Sequence, residues 1–419
     1  MTDINDVMLS SKAAKKAAVS TPAPNQGEQI SEMEPMLISQ GSRFRPELTA
    51  LAFELTGKAA GFRRSLPNRV SVALADLVRS MNCYYSNLIE GHNTHPVEIE
   101  RALKGEYSND LEKRNLQLEA KAHIAVQKWI DDGNLRGQAT TRHGICEMHR
   151  RFCTELPKEL LWVEDPATHE RLPVVPGEFR RNHVKVGRLV PVSPGAVPRF
   201  MERFESVYTG LNKVESVLAA AVAHHRLAWI HPFLDGNGRV ARLMSHATLL
   251  ETLDTGAIWS VARGLAKRVA TYKELLANCD RTRRNDLDGR GNLSEEALVD
   301  FTRFFLETCI DQVDFMEKLV QPNEMHERIQ LWVNDEARLQ RINPKAGLLL
   351  DAILYRGEVP RGDVAQILSL STRYSRDTVA ELTQRGVIAS ETPYGPLHLV
   401  FTAKLAPRWM PGLFPDEPR

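Results

Sequence analysis

The stretch His231-Pro-Phe-Leu-Asp-Gly-Asn-Gly-Arg-Val-Ala-Arg242 decides how this chain is read, because it places a titratable base, a hard oxygen ligand, a bare turn and two guanidiniums side by side. Upstream, Val217 to Trp229 is an Ala-rich apolar run without Gly or Pro, which predicts a buried helix. Pro232 stops that helix and leaves His231 at a helix-to-loop boundary, where an imidazole can face a cleft. Gly236, Asn237 and Gly238 then clear bulk ahead of a second helical stretch, Arg239 to Leu250. Free backbone N–H groups and the positive end of a helix would converge there, which makes an anion site.

Each residue type suits one task. An imidazole with an ordinary pKa of about 6.5 can take a proton from an attacking hydroxyl near neutral pH. Asp235 offers a hard oxygen suited to Mg2+ that also holds phosphate oxygens. Arg239 and Arg242 lie three apart, share a helix face and can grip successive phosphates. A core histidine ahead of an ordinary Gly-rich turn would account for these residues singly, but not for the combination.

The string resembles the Fic (Fido) motif, HPFx(D/E)GNGRxxR, at every fixed position. The resemblance implies a mainly α protein: a Fic/Fido helical core with a β-hairpin flap. It also implies a protein adenylyltransferase, which moves AMP from ATP to a Ser, Thr or Tyr hydroxyl of a target protein and releases pyrophosphate. On this reading His231 is the general base and Asp235 the Mg2+ ligand. Gly236, Asn237 and Gly238 form the phosphate cradle, Arg239 clamps a phosphate, Arg242 meets the γ-phosphate, and Phe233 anchors the loop. Relatives that phosphorylate a target carry Lys where this chain has Gly238, so the glycine favours AMP transfer. Tyr272 and Asn278, on the helix after the motif, become adenine or ribose contacts by the same resemblance.

A second motif, Ser86-Asn-Leu-Ile-Glu-Gly91, closes a helix predicted from Asn68, in which Val70, Leu74, Leu77, Met81, Tyr84 and Leu88 recur at spacings of three and four. Alone, Glu90 would be a solvated carboxylate in an electrostatically poor last turn. Ser86 and Glu90 resemble the fixed positions of the family's inhibitory helix, (S/T)xxxE(G/N), which implies that Glu90 engages Arg242 and blocks the γ-phosphate. A desolvated pair of this kind costs about 3 to 5 kcal/mol when one partner is removed. Between the motifs, Leu172 to Val192 alternates β-branched residues with Pro and Gly and predicts a hairpin. The resemblance makes the segment around 174–192 the flap that holds a target peptide by strand addition. Arg180, Arg181 and Lys185 there suit either an acidic target or solvent.

Length and composition fit two to three domains. The chain has 419 residues, 42% of them hydrophobic and 26% charged. A net charge of +1 excludes a global nucleic-acid or membrane field. Five cysteines without a Cys-x-x-Cys pair indicate neither a disulfide framework nor a zinc ribbon. With no signal core and no membrane-length apolar run, a cytoplasmic protein is expected. Residues 1–40 read as a disordered arm, 41–135 as a helical region carrying the inhibitory segment, 136–307 as the catalytic domain and 308–343 as a helical connector.

Residues 344–405 change character. Lys345 to Tyr355, Arg361 to Leu368 and Thr372 to Gln384 read as three helices, and Val387 to Phe401 as a hairpin. This resembles a winged helix-turn-helix, in which Arg373, Tyr374 and Arg376 would face DNA. The weak basic balance of the segment disfavours DNA, and a homodimer or target-docking surface is the competing use. Two alternatives therefore stand beside AMP transfer. One is removal of AMP at the same site, with Glu90 positioning water; the other is a nucleotide-sensing transcriptional regulator. Self-modification is a further expectation. Asp286 to Asn292 resembles a calcium loop but lacks the acids it needs, so a turn with Ser294 capping the next helix is expected. His224, His225 and His246 have no zinc spacing and read as structural.

Overall fold

The computed structural model describes residues 23–165 and 168–415. Four helices come first: α1 (Arg45–Arg64), α2 (Asn68–Ile89), α3 (Pro96–Leu103) and α4 (Leu111–Asp131). The central part holds α5 (Arg142–Thr154), the strands β1 (Trp162–Glu164) and β2 (Arg171–Pro173), then α6 (Val197–Tyr208), α7 (Lys213–Ile230), α8 (Asn237–Leu253), α9 (Val261–Lys267), α10 (Val269–Asn278) and α11 (Glu295–Leu319). After α12 (Pro322–Arg338) come α13 (Ala346–Arg356), β3 (Glu358–Val359), α14 (Val364–Leu368), α15 (Thr372–Gln384), β4 (Ile388–Ala389), β5 (Leu397–Leu399) and α16 (Ala406–Trp409).

α7 is the axis of the fold. Residues Val217 to Leu227 are buried on every side, as expected of a helix without a polar face. Asn212 caps its start by accepting from the Glu215 N–H at 3.0 Å. α8 lies along α7, α1 lies along α11, and α2 packs on α4 and α9. Phe200, Phe204, Phe233, Phe301 and Phe305 are completely buried between these layers, each contributing roughly 1.5–3 kcal/mol of apolar burial. Ser294 caps α11, with the Ala297 N–H donating to Oγ at 3.1 Å. Among the described residues no helix is long and apolar enough to cross a membrane.

Three expectations change. Residues 1–22 of the expected arm lie outside the described residues, but 23–40 form a strap on the helical core. Met33 is fully buried, the Tyr208 hydroxyl donates to the Met36 carbonyl at 2.7 Å, and buried Arg226 donates to the Pro35 carbonyl at 2.7 Å. Met33, Met36 and Ile38 supply the apolar anchor that a polar composition hid. The hairpin also starts earlier than expected, as Trp162–Pro173 and Glu164–Arg171 pairs of β1 and β2. Only residues 172 and 173 of the anticipated segment are strand. From 174 to 192 the chain is turns with one bridge, Val186 to Leu189, because Pro173, Pro176 and Pro191 have no N–H for a ladder. Finally, α11 runs unbroken through the boundary expected at 307.

The C-terminal segment shows three helices and a strand pair close to the expected bounds, and adds β3, which gives a three-stranded antiparallel sheet ordered β3-β5-β4. It does not stand apart. Arg69 of α2 pairs with Glu358 and Glu391, the Tyr85 hydroxyl donates to the Leu413 carbonyl at 3.1 Å, and Trp409 and Leu413 are fully buried.

Candidate active site

α7 ends at Ile230, and the next residue, His231, takes φ +52°. A left-handed histidine is uncommon and must be held. Its N–H donates to the Leu227 carbonyl at 3.0 Å, its own carbonyl accepts from Arg180 Nε at 2.7 Å, and Nδ1 lies 3.3 Å from the Ala228 carbonyl. That last contact assigns the ring proton to Nδ1 and leaves Nε2 as the basic nitrogen. Burial pushes the imidazole down to about 4, with the Arg180 charge acting in the same direction, so the ring is neutral at pH 7.

The loop after His231 is tied to itself. Asn237 Oδ1 accepts from the Phe233 N–H and its Nδ2 donates to the Phe233 carbonyl, both at 2.9 Å. The Asn237 amide therefore ties the loop together and fixes the shape of the turn expected to be the cradle. Phe233 is fully buried and stacked on His149, ring centroids 3.9 Å apart and planes 3° apart. Asp235 is exposed, and one of its oxygens accepts from the Gly236 N–H at 2.6 Å. Gly236, at φ +78°, is the N-cap of α8 and has no side chain to cap it, so the first-turn N–H groups remain available to an anion.

Both arginines of the motif are buried and both already have partners. Arg242 donates from Nε to Ser86 Oγ at 2.8 Å and from Nη2 to the Ser86 carbonyl at 3.2 Å and to Glu90 Oε1 at 2.5 Å. Glu90 is the C-cap of α2. The turn is closed by Gly91 at φ +91°, whose N–H reaches Leu88, and by His92, whose N–H reaches Asn87. Burial alone would raise the Glu90 carboxyl, but the charge and hydrogen bond of Arg242 hold it below its ordinary value. The pair is not fully desolvated, since the Arg242 side chain is 3% exposed and that of Glu90 36%. The 3 to 5 kcal/mol of a buried pair therefore overstates this contact, and the carboxylate can be displaced at lower cost.

Arg239 meets a carboxylate that sequence reasoning missed. Its Nη2 donates to Glu119 Oε2 of α4 at 2.7 Å, and His92 Nδ1 lies 3.0 Å from the same oxygen. The hydrogen bond to Glu119 raises the His92 imidazole above its ordinary value. Nothing local marks Glu119, one acid among several on an amphipathic helix. Arg180 was misread as a surface cation. It is 4% exposed and binds the carbonyls of His231, Asn182 and Val192, fastening the flap segment to the catalytic loop. Arg181 and Lys185 are exposed. His149 was also missed. Its Nδ1 accepts from the Gly177 N–H at 2.9 Å, so it joins the same two segments.

Tyr272 lies in the core. It is 4% exposed, its hydroxyl bonds His224 Nε2 at 2.8 Å, and its ring lies beside Phe301 in the core. Asn278 lines a surface hollow of about 230 Å3 with Arg281, Arg284 and Asp300, none of them from either motif. The other histidines have separate partners: His224 with Ser245, His225 with Asp280, His246 with Asp131. Among the described residues no group of three or more His, Cys, Asp or Glu could hold a metal ion.

A helical core that sets a histidine and two buried arginines near an uncapped helix start is suited to holding an anion. Residues 139–249 match the Fic/DOC family. Protein adenylyltransferase Fic of Drosophila mojavensis is 31% identical over 169 residues, 40% of this chain and 31% of that protein. The corresponding protein of Drosophila willistoni is 32% identical over 171 residues, again 40% and 31%. The match thus spans about a third of the length of these curated relatives. Among solved structures, a Fic family protein from Desulfovibrio desulfuricans G20 superposes with a TM-score of 0.49 at 17% identity, covering 88% of this chain and 99% of that one. Fic-1 from C. elegans gives 0.45 at 20% identity, covering 65% and 73%.

Proposed function

We propose that the chain is a protein adenylyltransferase held in check by Glu90. The observation that carries this reading is the neutral Nε2 of His231, set beside the open N-terminus of α8 and its two arginines. A target hydroxyl gives its proton to His231 Nε2 as its oxygen attacks the α-phosphorus of ATP, and the bond to the pyrophosphate oxygen breaks. The α8 N–H groups, Arg239 and Arg242 take the charge that builds on the departing pyrophosphate.

Asp235 suits Mg2+. It is exposed, only one of its oxygens is engaged, and phosphate and water would complete the shell of an ion that binds few protein ligands. Mg2+ bound there would neutralise phosphate charge. The flap segment 174–192, pinned by Arg180 and exposing Val186 and Val190, would lie along the target. Curated relatives named protein adenylyltransferase Fic support the activity.

The test is Glu90→Gly protein incubated with α-labelled ATP, Mg2+ and a cell lysate. Labelled protein, including the chain itself, is expected; its absence sinks the reading. The same preparation tests release of AMP from labelled protein, which Glu90 would serve by positioning water. A second reading, a nucleotide-sensing regulator, draws on the exposure of Arg373, Tyr374 and Arg376 on α15. Salt-dependent, sequence-selective DNA binding by the full chain would favour it.

A further inference from the structure

The two motif arginines both hold carboxylates, but the two carboxylates are mounted differently. Glu90 sits at the end of α2 beside a left-handed glycine, with its side chain 36% exposed, so one turn of chain can carry it away. Glu119 sits within α4, between the fully buried Ala120 and Ala122 on one side and Asp110, the helix cap, on the other, with its side chain 13% exposed. No small movement frees it.

Arg239 is held as firmly. It is 6% exposed, its guanidinium lies over the Phe152 ring 5.1 Å from the centroid, and Nη2 is bound to Glu119. Its Nε is buried and has no partner. A buried donor left unpaired in a folded site asks for a ligand or another explanation.

We propose that Glu119 is a positioning residue for the nucleotide: a fixed counter-charge that, with Phe152, aims Arg239 at a phosphate, while Glu90 is the only carboxylate that leaves. The inference rests on the proposed function. His92 links the two acids. It follows Glu90 by two residues and holds Glu119 Oε2 from Nδ1 at 3.0 Å, with Arg239 Nη2 3.2 Å away. When the turn carrying Glu90 and His92 moves to admit a triphosphate, Glu119 keeps Arg239 alone.

The test compares Glu119→Gln with the parent, each in the Glu90→Gly background and each with and without Arg239→Ala. Glutamine keeps the shape and removes the charge. Loss of aim should raise the KM for ATP about tenfold, the size of one charge-assisted hydrogen bond, and lower kcat as well, because Arg239 also takes charge from the departing pyrophosphate. In the Arg239→Ala background the same change should have no further effect, because Glu119 acts through that side chain. Glu119→Gln with Glu90 intact should give no rise in automodification.

An unchanged KM overturns the proposal, as does an equal loss with Arg239 absent, which would mark a merely structural residue. A rise in automodification with Glu90 intact overturns it too, since Glu119 would then be a second plug. If the Glu90→Gly protein transfers nothing, the functional reading fails, and ATP affinity by calorimetry on the same variants still decides the positioning role.

Discussion

Glu90 occupies the space that a side chain at position 238 would need. A Cβ added to Gly238 would collide with Glu90 Oε1 and stand 3.2 Å from Arg242 Nη1, while the backbone of Gly238 is outside the left-handed region. Glycine there leaves room for the carboxylate, and the turn does not need it. Gly238→Ala should therefore push Glu90 off Arg242 and raise automodification by labelled ATP, with no further gain when Glu90→Gly is added. An alanine protein as quiet as the parent would show that the carboxylate adjusts without leaving.

Replacing Glu90 with Gly should raise automodification strongly, and adding Arg242→Ala should remove the gain, because the two side chains act on one phosphate position. Val72→Gly is the control, at an exposed site on the same helix. If weakening α2 alone released the activity, that variant would be released as well.

The pH profile follows from two depressed groups. His231 is neutral above about 4, so transfer by the Glu90→Gly protein should be flat from pH 6 to 8 and fall as acid protonates Nε2. The Glu90 carboxyl is held below its ordinary 4.5 by Arg242. Its pairing contributes fully above that value and is lost as pH falls through the folded one, so inhibition of the parent should be constant over pH 6 to 8. Rates that climb with a midpoint near 6.5 would show an ordinary exposed imidazole.

His231→Ala should cost about 10^2 to 10^4 in rate while leaving ATP binding in place, because the arginines and the α8 start are untouched. Asp235→Ala should abolish the Mg2+ dependence of transfer. Activity that keeps its metal dependence after that change would show that another group holds the ion.

Phe233→Ala should destabilise the chain by about 3–5 kcal/mol in denaturant unfolding, the usual loss for a fully buried aromatic. It also removes the ring on which His149 stacks. A loss below about 1 kcal/mol would mean that the loop is not anchored through this ring.

The sequence was most legible where periodicity and punctuation are local. α7, α8 and α2 follow from apolar spacing and from Pro232 and Gly91, and the C-terminal helices from the same cues. The approach of Glu90 to Arg242 came from a resemblance, since no spacing brings residues 152 apart together. Glu119, His149 and Arg180 were missed because their partners are backbone groups or distant side chains. A buried arginine that binds carbonyls looks in sequence like any surface cation. The burial of Tyr272, with its hydroxyl on His224, is a long-range pairing that its place on the helix after the motif does not reveal. The flap strands were misplaced because alternating valines suggest a ladder even where prolines leave it without donors.

The tether of Glu90 turns inhibition into a matter of effective concentration. A carboxylate carried on one turn of its own helix meets Arg242 as if present at millimolar levels or above, whatever the amount of protein. In the proposed function, ATP competes with that fixed local supply. The nucleotide concentration that half-fills the resting site would then be set by how firmly Gly91 and His92 hold the end of α2.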